Sequence, residues 1–454
     1  MFLQMKRRTI LIAALMALTG ARAFGQPLPT GEGWSMDACI RYAVAHSTAV
    51  ERRMVEENSA RTDVQTALSD FLPSVGAGVN GQYSWGRNVD PETNTYNTIT
   101  TFNNYYNIYA NLLLFDGGQA VNRFRQAKLL RRKGLTAVQQ AGDDKALEVM
   151  QKFVDAVYAQ GCVDLAAEKL EESRRLLHKT RRMEELGIKS LPDLAQIEAQ
   201  VAEDDYNLTH GENQLRTAML ALKSAMNYPI SDSLALEYAA AESILIGASE
   251  GEGRAEHIFS FAVLNNPLAV AAEMSVRSAE FDHNIAKGRL LPSLSFSAGV
   301  GTSYYRNLSG AGPASPFHAQ FWDNMGEYVS ASMTLPLFDF ARFKNVRKAR
   351  NNVRLAELER DETMRKLHDD IEQAVADLDG YGKEVVKMEG KVRSDSLAYH
   401  LSSRKYEEGM LSTFDLHTAS NTLLEARVRL LQMRMMYVIK QKLVGYYKGE
   451  RLWM

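Results

Sequence analysis

The sequence predicts a mainly α-helical protein in which long coiled-coil hairpins adjoin four antiparallel β-strands per chain. Three observations support this fold class: an internal duplication, two helical patterns of about 70 residues, and four stretches in which every second residue is apolar. Of the 454 residues, 24% are charged and 45% are apolar, which is an ordinary globular composition. The chain can therefore bury a core, and wholesale disorder is excluded.

The N-terminus has the pattern of a cleaved export signal. Basic residues at 6–8 precede the apolar run 10–18 and the small-residue exit at 21–23. We therefore predict a signal peptide over residues 1–23. Because this leader carries four basic residues, its removal would change the formal net charge from −2 to −6, which argues against nucleic acid as a partner.

The remaining chain is a duplication. Three motifs occur twice in the same order: LPS at 72–74 and 291–293, LFD at 114–116 and 337–339, and GxxSxxDL at 187–194 and 409–416. The offsets of 219, 223 and 222 residues are nearly equal, so only short loop insertions separate the halves. We predict one repeat at 34–227, a connector at 228–254 and a second repeat at 255–449.

Each repeat contains two predicted strands with alternating polarity. They lie at about 72–87, 104–115, 290–306 and 326–338, with polar loops at 88–103 and 307–324. In the third strand, for example, Phe296 and Val300 alternate with Ser297 and Gly299. The strands reach the roughly 9 to 11 residues that cross a bilayer when tilted, and aromatic residues gather near their loop ends.

We predict that the apolar strand face contacts lipid, although a soluble sheet packed on a core would alternate in the same way. In lipid, strands must close into a barrel, and the smallest common barrel has about eight strands. Because one chain supplies four, several copies must share the barrel. Eight strands would give a filled interior, whereas twelve would leave room for a channel.

Two long helical patterns, at 117–186 and 340–408, are each roughly 105 Å long at 1.5 Å per residue. The second carries heptad spacing, which predicts a left-handed supercoil. Shorter helices return at 188–226 and 415–447, so the turns between them, at 187–193 and 409–415, are expected to lie farthest from the strands.

Both turns have the residues that end one helix and start the next. Gly187 and Gly409 suit the left-handed conformation after a helix, and Ser190 and Ser412 are placed to cap the returning helices. Plain hairpin turns would explain these residues without any function.

No pattern of catalytic chemistry is present in the sequence. The histidines show no metal-ligand pairing, there is no nucleophile elbow, and Met433, Met435 and Met436 have the helical spacing of packing residues. We predict no catalytic, cofactor-binding or metal site, no cofactor, and two free thiols at Cys39 and Cys162, since helix geometry separates them by roughly 17 Å.

The order of helix, LPS strand pair, LFD turn, long helix, GxxSxxD tip and returning helix resembles the TolC family of outer-membrane efflux and export channels, in particular its Bacteroidetes-type members. The resemblance spans residues 34–449. It implies a homotrimer, a twelve-stranded β-barrel in the outer membrane and a helical tunnel in the periplasm. It also implies docking of the tips, through Gly187, Ile188, Ser190, Gly409, Leu411 and Ser412, with a periplasmic adaptor and an inner-membrane transporter.

The same resemblance implies a periplasmic gate. Its tyrosine, three residues before the second tip glycine, corresponds to Tyr406, and its aspartates, six residues after each glycine, correspond to Asp193 and Asp415. The family arginine two residues after the second glycine is replaced by Leu411, and the aspartate nine residues after it by Thr418. The charge network of the gate is therefore expected to be thinner than in the family.

Three hypotheses follow from the sequence. The first is passive conduction through a water-filled path lined by the polar strand faces. The second is a trimeric coiled-coil surface anchor or adhesin that conducts nothing, and the third is a soluble secreted scaffold. The cargo and the partner transporter cannot be read from the residues.

Overall fold

The computed structural model describes residues 33–90, 94–237, 254–309 and 315–453. The predicted signal peptide and most of the predicted connector lie outside these ranges. The helices are α1 (Met36–Ala45), α2 (Thr48–Ser69), α3 (Gln119–Glu185), α4 (Leu191–Met226), α5 (Arg254–Asn265), α6 (Pro267–Gly288), α7 (Phe317–Asp323), α8 (Phe340–Glu407) and α9 (Thr413–Tyr447). The strands are β1 (Ser74–Asp90), β2 (Thr95–Phe115), β3 (Ser293–Asn307) and β4 (Gly326–Thr334).

The opening helical region of each repeat is broken once, into two consecutive helices. In the first repeat, the side chain of Ser47 accepts a hydrogen bond from the Val50 amide and starts α2. In the second, Asn266 caps α6 and Pro267 occupies its first turn. Each break has a local cause, because an N-cap residue favours a new helix start, and in the second repeat the proline after the cap favours it as well.

The long helices confirm the sequence prediction. α3 has 67 residues and α8 has 68, so each is roughly 100 Å long. α4 returns along α3, and α9 returns along α8, which gives two antiparallel hairpins. No described helix is long and apolar enough to cross a membrane.

The four strands form one antiparallel sheet in the order β1-β2-β3-β4. Cross-strand partners share a face, so Val79, Tyr106 and Thr302 form one row, while Asn80 and Tyr105 lie in the next row on the other face. One face carries mainly apolar side chains, including Val75, Val79, Trp85, Ile108, Phe296, Val329 and Met333. The other carries mainly polar ones, including Ser74, Asn80, Gln82, Asn103, Asn107, Asn111, Ser295, Ser297, Ser330 and Ser332.

The strand lengths differ from the sequence prediction. Most of the expected loop at 88–103 is instead an extension of the first hairpin, whose ladder continues to the pair Asp90 and Thr95. Alternation of apolar residues does not reveal this extension, because most of the residues at 95–101 are polar. β4 ends early, at Thr334, and Leu337 after it is 86% exposed. Pro336 follows this end, and proline cannot donate a ladder hydrogen bond.

The main core lies among the helices, near the middle of α3. It joins α1, α3, α4 and part of α9; its fully buried members include Cys39, Ala43, Ala146, Val149, Leu222 and Met226. A smaller core joins α5, α6, α8 and the end of α9. Both cysteines are free, and Cys39 is buried whereas Cys162 is only half-buried.

Candidate functional site

Both hairpin turns close in the same way. Gly187 and Gly409 have φ of 74° and 77°, a conformation that glycine adopts without strain. The amide of Ile188 donates to the Met183 carbonyl at 2.8 Å, and the amide of Met410 donates to the Lys405 carbonyl at 2.9 Å. These six-to-one hydrogen bonds define a Schellman ending at each tip, so the sequence prediction of helix-terminating glycines holds at both.

The returning helices also start alike. The Asp193 amide donates to the Ser190 hydroxyl oxygen, while the Ser190 amide donates back to the Asp193 carboxylate, a full capping box. In the second tip, the Asp415 amide donates to Ser412 at 3.1 Å, and the Ser412 hydroxyl donates to the Asp415 carboxylate at 2.6 Å. Asp415 is exposed, and among the described residues its side-chain hydrogen bonds stay within its own cap.

The two tips contact each other through residues that differ between the repeats. The Thr413 hydroxyl donates to the Asp193 carboxylate at 2.9 Å, and the Lys189 ammonium donates to the Leu411 carbonyl at 3.3 Å. The hydrogen bonds from Ser190 and then from Thr413 hold the pKa of Asp193 below its usual value. Asp193 is therefore a charged link between the hairpins of one chain.

Tyr406 lies inside the bundle of the two hairpins. Its side chain is 1% exposed, its hydroxyl lies 3.0 Å from the hydroxyl of Thr180 on α3, and the Lys189 ammonium sits 4.2 Å from its ring centre. A cation over an aromatic face contributes about 0.5–2 kcal/mol, depending on desolvation. Tyr406 and Asp193, predicted together as gate residues, thus bind different residues of the opposite hairpin.

The surface around the two tip turns is rich in exposed apolar side chains. Five large side chains around the two turns are more than half exposed: Leu186, Ile188, Leu191, Met410 and Phe414. Of the residues predicted for docking, Ile188 belongs to this set and Ser190 and Ser412 are exposed, whereas Leu411 is half-buried against Tyr406. The tips therefore present apolar surface with polar caps at its edge.

A polar network farther from the tips also joins the hairpins. The Lys169 ammonium on α3 contacts the Ser420 hydroxyl on α9, and both side chains are buried. Beside them, Asp204 accepts hydrogen bonds from Ser173 at 2.5 Å and from Gln200 at 2.8 Å. Burial lowers the pKa of Lys169.

On the α8 side of this network, the Tyr399 hydroxyl donates to the Glu172 carboxylate at 2.5 Å. Burial, and then Glu172, raise the pKa of Tyr399. These polar groups are satisfied by one another, so the network fixes how the two hairpins pack.

Sequence reasoning missed Thr180, Lys189 and Thr413, although one signal was available. When the two tips are aligned by the repeat, Lys189 corresponds to Leu411 and Leu191 corresponds to Thr413. Such a difference between duplicated turns marks positions that contact something other than their own helix. Within the described residues, no group of three or more His, Cys, Asp or Glu side chains is arranged to hold a metal ion.

Comparison with known proteins adds to this geometry. A family model described as "Outer membrane efflux protein" matches residues 40–228 and 259–442. The protein CyaE of Bordetella pertussis is 23% identical over 342 residues, which cover 75% of this chain and 68% of CyaE.

Two solved structures are similar in fold. The outer membrane protein VceC of Vibrio cholerae has a TM-score of 0.77 at 13% identity, with 92% of this chain and 96% of VceC covered. The CmeC outer membrane channel of Campylobacter jejuni has a TM-score of 0.76 at 15% identity, with 92% of this chain and 87% of CmeC covered. At these identities the likeness establishes the fold alone.

Proposed function

Because the chain belongs to the outer membrane efflux protein family, we propose that it is the outer-membrane conduit of a tripartite efflux system or a type I secretion system. The family consists of channels rather than enzymes. In the proposed assembly, residues 1–23 direct export. Three copies each add one four-stranded sheet to a twelve-stranded barrel in the outer membrane, and their helical hairpins form a tunnel in the periplasm.

One observation carries the proposal: a sheet with one apolar and one polar face stands at one end of helices roughly 100 Å long, and both hairpin tips stand at the other. An apolar face suits lipid, and a face of Ser, Asn and Gln suits a water-filled lumen. Four strands cannot close alone around such a lumen, so the sheet requires other copies. In this proposal the inner-membrane transporter supplies the energy, and conduction through the chain is passive.

We place the gate at the tips. Tyr406 and Asp193 each bind across from one hairpin to the other, so loss of both contacts frees the second hairpin to move. Asp415, exposed in the second tip, adds a ring of negative charge in a three-fold assembly and concentrates cations at the mouth. Leu411 stands where the family has an arginine. In this chain, Lys189 is a cation that contacts Tyr406.

The partners in this proposal are a periplasmic adaptor and an inner-membrane transporter. The support is the exposed apolar tip surface, which includes Ile188, Leu191 and Met410 and stands at the end of the molecule farthest from the sheet. Large exposed apolar patches on a protein are typical of interaction sites. The capped turns with Gly187 and Gly409 hold this surface in one conformation.

Reconstitution in a planar bilayer tests the proposal. The full chain, purified in mild detergent, is expected to run as a trimer by light scattering and to give discrete conductance steps. A trimer that inserts without conducting would favour the anchor or adhesin hypothesis and overturn the conduit. Recovery of the protein from cells without detergent would overturn the membrane location altogether.

A further inference from the structure

The short helix α7 lies along the part of the β3 edge that β4 is too short to reach. β4 pairs with β3 only as far as Gly326 opposite Gly301, whereas β3 continues to Asn307. Along that remaining edge, the Gln320 side chain accepts from the Tyr305 amide at 2.9 Å and donates to the Tyr305 carbonyl at 3.0 Å. Side-chain amides thus continue the pairing where strand backbone stops.

A second side-chain amide and a buried hydroxyl fix the helix. The Asn324 amide donates to the Ser303 carbonyl at 2.8 Å, two residues along the same edge. The hydroxyl of Thr302, which points to the apolar face, donates to the Phe321 carbonyl at 2.7 Å. On that face the Phe321 ring packs on Tyr106 with centroids 5.5 Å apart.

Part of the apolar surface of α7 is left uncovered by the described residues. Trp322 is 58% exposed, and Phe317 remains 47% exposed although its ring packs on Tyr304. β4 is an edge strand, and β1 is the other edge strand of the sheet. In any closed barrel of copies, β4 of one copy meets β1 of the next, so α7 lies on the same seam.

The two edges do not match in length. β1 has 17 residues and β4 has 9, which leaves about eight residues of β1 beyond the end of β4. This outer part of β1 also carries exposed rings on the apolar face, with Trp85 75% exposed and Tyr83 55% exposed. An unpaired apolar strand edge invites association with other chains unless it is covered.

We propose that α7 completes the seam between neighbouring copies by packing Trp322 against the outer half of the next copy's β1, around Trp85. The occupant of this surface is a second copy of the chain, and the proposal rests on the oligomeric barrel proposed above. On β3, α7 replaces strand pairing with side-chain hydrogen bonds from Gln320 and Asn324. At the seam with the next copy, it replaces strand pairing with ring contacts.

Cysteine cross-linking tests the contact directly. In a background with Cys39→Ala and Cys162→Ala, the pair Trp85→Cys and Trp322→Cys is expected to link copies on oxidation, with covalent multimers on a denaturing gel without reductant. Bismaleimide linkers of increasing length, applied in parallel, tolerate an imperfect disulfide geometry. The control pair uses Val75→Cys with Trp322→Cys, because Val75 lies on the same face of β1 about 33 Å away.

Each outcome has one meaning. Multimers from the Trp85 pair and none from the Val75 pair support the seam, and adding Gln320→Ala with Asn324→Ala is expected to remove most of the product. A trimer by light scattering that links with neither pair overturns the α7 contact while leaving the conduit intact. A monomer overturns the barrel and the seam together.

A nitroxide at position 322 gives an independent readout in reconstituted protein. A buried seam predicts low collision rates with both oxygen and a water-soluble nickel complex. High oxygen accessibility would instead place Trp322 in lipid, and high nickel accessibility would place it in water; either result contradicts the proposal.

Discussion

The two repeats share a plan but differ at both ends of the molecule. In the first repeat the strand hairpin is long, with strands of 17 and 21 residues, whereas in the second the strands have 15 and 9 residues and α7 stands in for the missing part. Duplication therefore preserved the faces of the sheet without preserving the length of its strands. A helix can replace a strand where side-chain amides satisfy the exposed edge.

At the tips the difference is chemical. The turns and caps are similar, but the first tip supplies the Lys189 cation and the Asp193 carboxylate, and the second supplies the Tyr406 ring and the Thr413 hydroxyl. Two identical tips would have placed the same chemical groups opposite each other. The divergence of the repeats made their contact complementary.

The hydrophobic cores of the two repeats also differ. The core of the first repeat takes Met435 and Ile439 from α9, the returning helix of the second repeat, and is the larger of the two. The first repeat is therefore expected to be the more sensitive to core truncation.

The largest effect is expected from Leu222→Ala in that core. Leu222 is fully buried, and truncation of a buried leucine costs about 2–5 kcal/mol because it leaves a cavity. The thermal midpoint of the helical circular dichroism signal of the full chain measures it. Leu222→Met, which conserves volume, should cost less than about 1.5 kcal/mol. Equal midpoints for the two variants would show that this core is not what holds the first repeat together.

A smaller effect is expected at the tips. Tyr406→Phe combined with Asp193→Ala removes two hydrogen bonds between the hairpins, each contributing about 0.5–1.5 kcal/mol. Single-channel conductance in planar bilayers should rise. Asp205→Ala is the matched control, since Asp205 is exposed and its ion pair with Arg174 stays within the first hairpin. Unchanged conductance in the double variant would remove Tyr406 and Asp193 from the gate.

The tip contact should also respond to acid. Because the pKa of Asp193 is lowered in the folded state, its contribution is present above the unfolded value of about 3.9 and is lost as the pH falls below it. Spin labels at the exposed positions Ile188 and Met410 should report a constant separation from pH 7 to about pH 4 and a longer one below. Asp193→Asn should abolish this step, and its persistence in that variant would assign the transition to another carboxylate.

The smallest effect is expected from the ion pair between Lys179 and Glu407, which lie 2.6 Å apart near the tips. Both side chains are about half exposed, and such pairs contribute about 0–1 kcal/mol. Glu407→Gln should therefore leave conductance unchanged and the thermal midpoint nearly so. A change in conductance as large as that of the double variant would place the gate on this ion pair instead.

Much of the fold could be predicted from the sequence because its signals are periodic. The heptad seam gave the long helices, and alternation gave the faces of the strands. The breaks before Thr48 and Pro267 carried readable signals, Ser47 and the Asn266-Pro267 pair, which the helical period obscured.

The remaining features depend on contacts between distant segments. The sequence 317–323 has no strand or core pattern, and α7 is placed by Gln320 and Asn324 on an edge of β3 that only the sheet register defines. Likewise, the tip glycines and caps were visible, but the contacts of Tyr406 with Thr180 and Lys189 required the two hairpins to be brought together.

The measurement that tests the account most directly is the environment of the two sheet faces. Spin labels at Phe296 and its partner Leu112 should be accessible to oxygen dissolved in lipid, while labels at Ser297 and its partner Asn111, one residue away in register, should be accessible to a water-soluble nickel complex. Nickel accessibility at Phe296 and Leu112 would contradict the account, because the apolar face would then stand in water and the sheet would not belong to a membrane conduit.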